Sequence, residues 1–250
     1  MLENQETNRE SEPVSVVINV YNEAETIEAE IREIYEQIVS RIPGSEFIIA
    51  EDGSTDGTKE IIGRLVREIG IIHSTGLERK GYIKALCDAF ALAKNPYIFF
   101  SDTGHKHDPA DFWQLYLYRK LNGLVVGLKT DRSDQLYRRL LTWGYNQLLS
   151  LYFGVKVKDA DSGFRLYGKE VVKKIFNEKW INKDLVASEI VLRVIFSGFL
   201  FREVPVSYRQ RIGESRGLPL KKIPRVIIGV LGNFSKLKTA ISDPRYKQMP

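Results

Sequence analysis

Residues 97–109 read YIFFSDTGHKHDP, and the place where their apolar run stops decides the fold. Tyr97, Ile98, Phe99 and Phe100 are aromatic and β-branched in succession, the mark of a short strand buried on both faces. Asp102 then falls at the carboxyl end of that strand, where open α/β sheets keep the crevice that receives their ligands. Thr103 to His107 form a polar run, and Asp108-Pro109 has the form of an N-cap followed by proline at the first helical position. Chemistry is expected between strand and helix. Taken alone, Asp102 could equally end a strand and cap a turn.

Working outward toward the N-terminus, Val14 to Val20 (VSVVINV) is a β-branched run expected as a buried parallel strand, followed directly by Tyr21, Asn22 and Glu23. Ile27, Ile31, Ile34, Ile38 and Ile42 recur at steps of three and four, so one stripe of a helix packs on a sheet. Phe47 to Ala50 supply a second strand that stops at Glu51 and Asp52. The loop EDGSTDGT leads into a helix over Ile61 to Ile69, Ile71 and Ile72 suggest a brief strand, and a further helix carries Cys87. Strand and helix alternate, which predicts a mostly parallel sheet with helices on both faces and right-handed crossovers. Toward the C-terminus the pattern predicts a helix from Pro109 to Leu121, a strand from Leu124 to Leu128 and a helix from Gln135 to Phe153. After the segment DADSGFRLYG (159–168) come helices over 169–176 and 184–197 and a strand from Phe199 to Tyr208. Beyond these, lysines 221, 222, 236 and 238 and Arg225 alternate with Ile, Val, Leu and Phe as a basic amphipathic segment, in which Pro224, Gly229 and Gly232 weaken a continuous helix.

The 250 residues are 43% hydrophobic and 28% charged, ordinary usage for a folded domain. A formal net charge of +5 suggests anionic partners. A dense basic patch with interleaved aromatics is missing, so nucleic acid is not an expected partner. Cys87 is the one cysteine and lies on an apolar helix face, so neither a disulfide framework nor a thiolate metal site is expected. Residues 1–13 are polar and acidic without an apolar h-region and are expected to be a flexible arm, not a secretory signal. No run approaches the ~20 apolar residues of a spanning helix. The expectation is a cytoplasmic chain with a single domain over 14–216 and an extension over 217–250, the latter able to rest on the cytoplasmic face of a membrane.

Neither GxxxxGK[ST] nor GxGxxG after the first strand is present, which argues against P-loop enzymes and simple dinucleotide oxidoreductases. Instead, three strands end in Tyr21-Asn22-Glu23, Glu51-Asp52-Gly53-Ser54 and Ser101-Asp102. Carboxylates there suit hydrogen bonding to a base and ribose, and metal-assisted binding of a diphosphate.

The set NVYNEAETI, EDGSTDGT, FFSD, DADSGFRLYGKEV and VPVSYRQRIGESR, in this order over roughly 14–216, resembles the inverting glycosyltransferases of family 2. Within them it is most similar to the dolichol-phosphate mannose synthase and polyprenyl-phosphate glycosyltransferase branch. The resemblance implies a GT-A, Rossmann-like fold, a nucleotide-diphosphate sugar as donor and a polyprenyl phosphate as acceptor. It places Tyr21, Glu23 and Asp52 at the donor nucleotide, with Glu51 where an aspartate is usual. It also implies a divalent cation, Mg²⁺ or Mn²⁺, held by an Asp-x-Asp-x-Gln motif. This chain keeps Asp102 but has Gly104 and Lys106 at the next two ligand positions. One carboxylate is a poor site for a hard cation, which makes the metal doubtful. His105 and His107 are candidate nitrogen ligands, or ordinary loop histidines. Alternatively the Lys106 ammonium replaces part of the metal's charge against the leaving diphosphate.

For the acceptor phosphate the resemblance points to Lys129, to Arg138 and Thr142 on one helix face, and to Arg209, Arg211 and Ser215. The spacing around Gly213 is one residue short of the family's R-x-x-G-x-S, so which arginine corresponds stays open. The plainer reading of these cations is a solvated face. Asp159 and Glu189 are candidate general bases if the acceptor is a hydroxyl, which must lose a proton to attack; an anionic phosphate needs none. Otherwise they position Arg165 or cap a helix. Two other readings are carried: the same fold acting on a sugar hydroxyl in polysaccharide or glycolipid synthesis, and a non-catalytic nucleotide-sugar binding module.

Overall fold

The computed structural model describes residues 11–76, 78–130, 136–176, 185–209 and 223–242, with the side chains of Arg138, 223–228 and Ser242 outside that description. The elements run β1 (Val14–Val20), α1 (Ile27–Gln37), β2 (Glu46–Glu51), α2 (Thr58–Ile69), β3 (Ile72–Thr75), α3 (Tyr82–Leu92), β4 (Tyr97–Asp102), α4 (Phe112–Tyr116), β5 (Leu124–Lys129), α5 (Leu136–Phe153), β6 (Phe164–Gly168), α6 (Lys169–Ile175), α7 (Val186–Phe196), β7 (Phe201–Val206) and α8 (Ile223–Ser242). They form one sheet of order β3-β2-β1-β4-β6-β5-β7. β1 pairs in parallel with β2 and β4, β2 with β3, and β5 with β7, whereas β6 runs antiparallel to both β4 and β5.

Strand alternation sorts the core into two layers. Val16, Ile18, Phe47, Ile49, Phe99 and Val125 face one layer, which the isoleucine stripe of α1 (Ile27, Ile31, Ile34) covers. Val17, Ile48, Phe100 and Val126 face the other, covered by Leu86 and Phe90 of α3, Leu149 of α5, Val191 of α7 and Phe234 of α8. Both faces are dry, which is why β1, β2 and β4 read as unbroken apolar runs.

Three expectations need correction. The segment before Lys169 contains a strand, β6, that the sequence did not suggest, because Arg165 lies within it. That arginine is buried and satisfied by backbone carbonyls, donating to Ser162 O (2.6 Å), Ala160 O (2.7 Å) and Ala187 O (3.1 Å). The helix expected over 109–121 is shorter. Asp108 accepts from Ala110 N at 2.9 Å to start a 3₁₀ turn over Pro109–Asp111. After Tyr116 the amides of Tyr118, Arg119 and Leu121 bond three residues back, so the chain tightens into turns. Finally, Ile223–Ser242 is one helix. Pro224 falls in its first turn, where no N–H is required. Phe234 is fully buried among Tyr145, Tyr152 and Phe153, with Leu237 and Ile241 buried on the same face.

Phe234→Ala should therefore lower the unfolding free energy by ~3–5 kcal/mol, read by urea denaturation, with faster amide exchange concentrated in α8. A change confined to α8 with no loss of global stability would show that the helix is only loosely attached.

Candidate active site

The carboxyl ends of β1, β2 and β4 are stapled together by their own loops. Asn22 takes a left-handed φ of 52°. Its N–H donates to Ser54 Oγ (3.0 Å) and its Oδ1 accepts from Thr55 N (2.9 Å), while Glu23 N donates to Thr58 Oγ1 (3.0 Å). Gly53 has φ +75°, and a Cβ there would meet Arg79 N at 2.6 Å, so only glycine lets the 78–79 backbone pass so close. That segment is held by Asp52, whose Oδ1 accepts from Lys80 N (2.7 Å) and Gly81 N (2.9 Å). Arg79 stacks its guanidinium 4.0 Å above the Tyr21 ring. The result is a cleft of about 190 Å³ lined by Tyr21, Glu23, Asp52, Arg79, Asp102 and Lys106. Glu51 is buried and bonded to Ser54 N and Thr75 Oγ1, so it braces the loop against β3 and does not line this cleft.

Asp102 is placed by β6. Its N–H donates to Gly163 O at 2.8 Å, and a Cβ at residue 163 would lie 2.0 Å from Asp102 Oδ2. Lys106 Nζ stands 3.7 Å from the same oxygen. Gly104, with φ +95°, turns its N–H to the buried Glu30 at 3.1 Å. Burial, partly offset by the amides of Gly104 and His105, pushes the Glu30 carboxyl up to about 7. His105 Nε2 lies 3.0 Å from Arg209 Nη1 and 3.7 Å from Glu33. His107 packs against Phe164 and Tyr208, and burial, then the Lys129 and Lys106 charges, hold its pKa well below the usual imidazole range. Among the described residues, no group of three or more His, Cys, Asp and Glu side chains could hold a metal ion.

A second, larger cleft of about 710 Å³ shares Tyr82 and Asp102 with the first and adds Lys80, Asp161 and Val186. Asp161 accepts from Ser188 Oγ (2.7 Å), which meets Tyr145 Oη at 2.7 Å, and Asn146 Oδ1 accepts from Ala160 N (2.9 Å), so α5 and α7 shape this loop. Lys129, at the end of β5, lies 3.7 Å from Asp159 Oδ2 and 5.4 Å from the Tyr208 ring centre. Asp159 is buried with no hydrogen bond to either carboxylate oxygen.

Other expected site residues are placed elsewhere. Glu189 accepts from Arg193 Nε at 2.7 Å inside α7, both buried, and it lines neither cleft. Arg209 is held by Glu33 (3.0 Å to each oxygen) and Asp108 (2.8 Å), which makes it a clamp on the 105–108 loop. Thr142 lies on α5 with its carbonyl accepting from Asn146. The Arg138 side chain, Arg211 and Ser215 lie outside the described residues. Tyr82, Arg79, Glu30 and Gly163 were not anticipated; the one available signal was a glycine opening a strand-like run at 163.

Residues 15–176 match the profile of Glycosyl transferase family 2. The chain belongs to that family. It is 30% identical over 227 residues to glycosyltransferase AglD of Haloferax volcanii, covering 87% of this chain and 35% of AglD, so it spans about a third of that relative. It is 26% identical over 208 residues to the dolichyl-phosphate hexose transferase of the same organism, covering 81% of this chain and 86% of that protein. Dodecaprenyl-phosphate galacturonate synthase of Rhizobium johnstonii matches at 26% over 170 residues, 65% of this chain and 49% of that one. Among solved structures, mannosyltransferase PcManGT of Pyrobaculum calidifontis in complex with GDP-Man and Mn²⁺ superposes with TM-score 0.62 at 21% identity, over 88% of this chain and 61% of that one. Glucosyl-3-phosphoglycerate synthase of Mycobacterium tuberculosis, in complex with Mn²⁺, UDP and phosphoglyceric acid, gives 0.65 at 19%, over 89% and 78%. The family 2 chain thus has the GT-A fold.

Both of those structures contain Mn²⁺, so a divalent cation is the family's implied group, and Asp102 is the residue that would meet it. The residues present do not suit one. Asp102 is a single carboxylate with an ammonium 3.7 Å from its Oδ2, and hard cations require several oxygen ligands.

Two outcomes follow from this geometry. Gly163→Ala should displace the Asp102 carboxylate and lower transferase activity at least about tenfold, a cost of roughly 1.4 kcal/mol in the transition state, while the far-UV spectrum stays unchanged; full activity would show that Asp102 need not lie there. Because folding raises the Glu30 pKa from 4.5 to about 7, its contribution to stability is complete below pH 4.5 and lost as pH rises through 7. Glu30→Gln should thus gain about 3 kcal/mol relative to wild type between those limits, measured by urea unfolding at each pH.

Proposed function

We propose that this chain transfers a sugar, with inversion, from a nucleoside-diphosphate sugar to a polyprenyl phosphate at the cytoplasmic face of a membrane. The observation that carries this reading is the outer face of α5, the helix that follows Lys129. Leu136 (69% exposed), Leu140 (58%), Trp143 (63%) and Leu151 (84%) recur there at helical spacing, an apolar strip of the kind that marks an interaction site. In this reading a lipid chain lies along it and its phosphate is taken by Lys129. Two relatives are named for dolichyl-phosphate and dodecaprenyl-phosphate chemistry, which supports the same acceptor. Lys236 and Lys238 are exposed on α8 and suit anionic head groups. No described helix is long and apolar enough to cross a membrane.

In this reading Tyr21, Glu23 and Asp52 hold the nucleoside, and an oxygen of the lipid phosphate attacks the anomeric carbon in line with the leaving diphosphate. Transfer to a sugar hydroxyl would require a base. Glu189 is closed off by Arg193 and Asp159 faces Lys129, so the already anionic phosphate is the better match.

The test is a screen of UDP- and GDP-sugars against short polyprenyl phosphates, with products identified by mass spectrometry. A sugar-phosphate-lipid product is expected, and Leu140→Ser/Trp143→Ser should slow transfer to long-chain acceptors in vesicles more than to short soluble ones. Transfer to sugar hydroxyls with none to lipid phosphate would reject the proposal.

A further inference from the structure

We propose that Lys106 is the resident cation of this active site, its ammonium supplying beside Asp102 the positive charge that a divalent metal would otherwise bring to the donor diphosphate; the inference rests on the donor reading above. Three observations carry it. First, Lys106 and Asp102 line the same cleft as Tyr21, Glu23 and Asp52, with Nζ 3.7 Å from Asp102 Oδ2. An ammonium has three N–H donors, so one directed at Asp102 leaves two for phosphate oxygens. Second, the charge is preorganised. Asp102 is pinned against Gly163, the Lys106 carbonyl accepts from Arg209 N at 2.8 Å, and the Arg209 guanidinium ties Asp108 to Glu33. The Lys106 side chain is only 21% exposed, and partial removal from water strengthens its field. Third, the position two residues after Asp102 is Gly104 at φ +95°, its N–H given to Glu30. No second carboxylate is offered there, and the ammonium would repel a dication drawn to Asp102.

As the acceptor oxygen bonds to the anomeric carbon, the bond from that carbon to the β-phosphate oxygen breaks, and its electron pair leaves with the nucleoside diphosphate. Lys106 keeps its proton and hydrogen-bonds the departing phosphate. Asp102 then acts as a positioning residue for the ammonium.

The experiment is calorimetry of the full chain with GDP and with UDP, in EDTA and in Mn²⁺, beside turnover under the same conditions. Wild type should bind one of the two nucleotides equally well with and without the metal. Lys106→Ala should weaken binding in EDTA at least about tenfold and lower turnover by about a hundredfold, while Lys106→Arg keeps part of both. Binding and turnover that vanish in EDTA and return with Mn²⁺ overturn this inference alone, as does a Lys106→Ala chain that behaves as wild type. No binding of either nucleotide under any condition overturns it together with the donor reading.

Discussion

The Asp102 carboxylate lies against the backbone of residue 163, in space that any side chain there would fill. That contact exists because β6 inserts antiparallel between β4 and β5, so its first turn enters at the carboxyl end of β4 and lays a glycine beside the aspartate. The two parallel groups that β6 joins, β3-β2-β1-β4 and β5-β7, could each pair without it. The site could not form, since the same reversal delivers Asp161 to the second cleft and Arg165 to the interior, where carbonyls of its own loop and of α7 neutralise its demand for acceptors.

Around this contact the protein distributes charge by burial and pairing. Carboxylates that face away from the cleft are bonded: Glu51 to its loop, Glu189 to Arg193, Glu33 and Asp108 to Arg209. Of those that line the two clefts, Asp52 lies 3.7 Å from Arg79 and Asp102 lies 3.7 Å from Lys106, while Lys80 pairs with Asp88. Glu30 is buried beneath the Gly104 turn and is driven toward its neutral form, so it supports the loop without adding a full negative charge under Lys106. An anionic diphosphate entering such a cleft meets positive charge already in place.

The donor-side residues illustrate how far residue type carries. Glu51 and Asp52 are adjacent carboxylates after one strand, and neighbours on extended chain point to opposite sides; the tertiary contacts with Thr75 and Lys80 show which one faces which way. Arg209 and Glu189 have the chemistry of a phosphate ligand and a base, yet partners remote in sequence, or one helical turn away, claim both. Tyr82 and Glu30 carried no signal of their own type, because their roles come from what lies against them.

The chain's local chemistry was enough to establish the parallel half of the sheet, the α1 stripe, the carboxyl-end location of the site and the family, since each depends on hydrophobic period and on motifs a few residues long. The strand direction of β6 and the packing of α8 on α5 and α7 depended on contacts between elements remote in sequence, and the approach of Lys106 to Asp102 on how Gly163 and Arg209 hold their loop. Burial is a property of the whole core, so a segment holding a buried arginine does not read as a strand, and a helix with one proline and two glycines reads as a weak one, until their partners are in place.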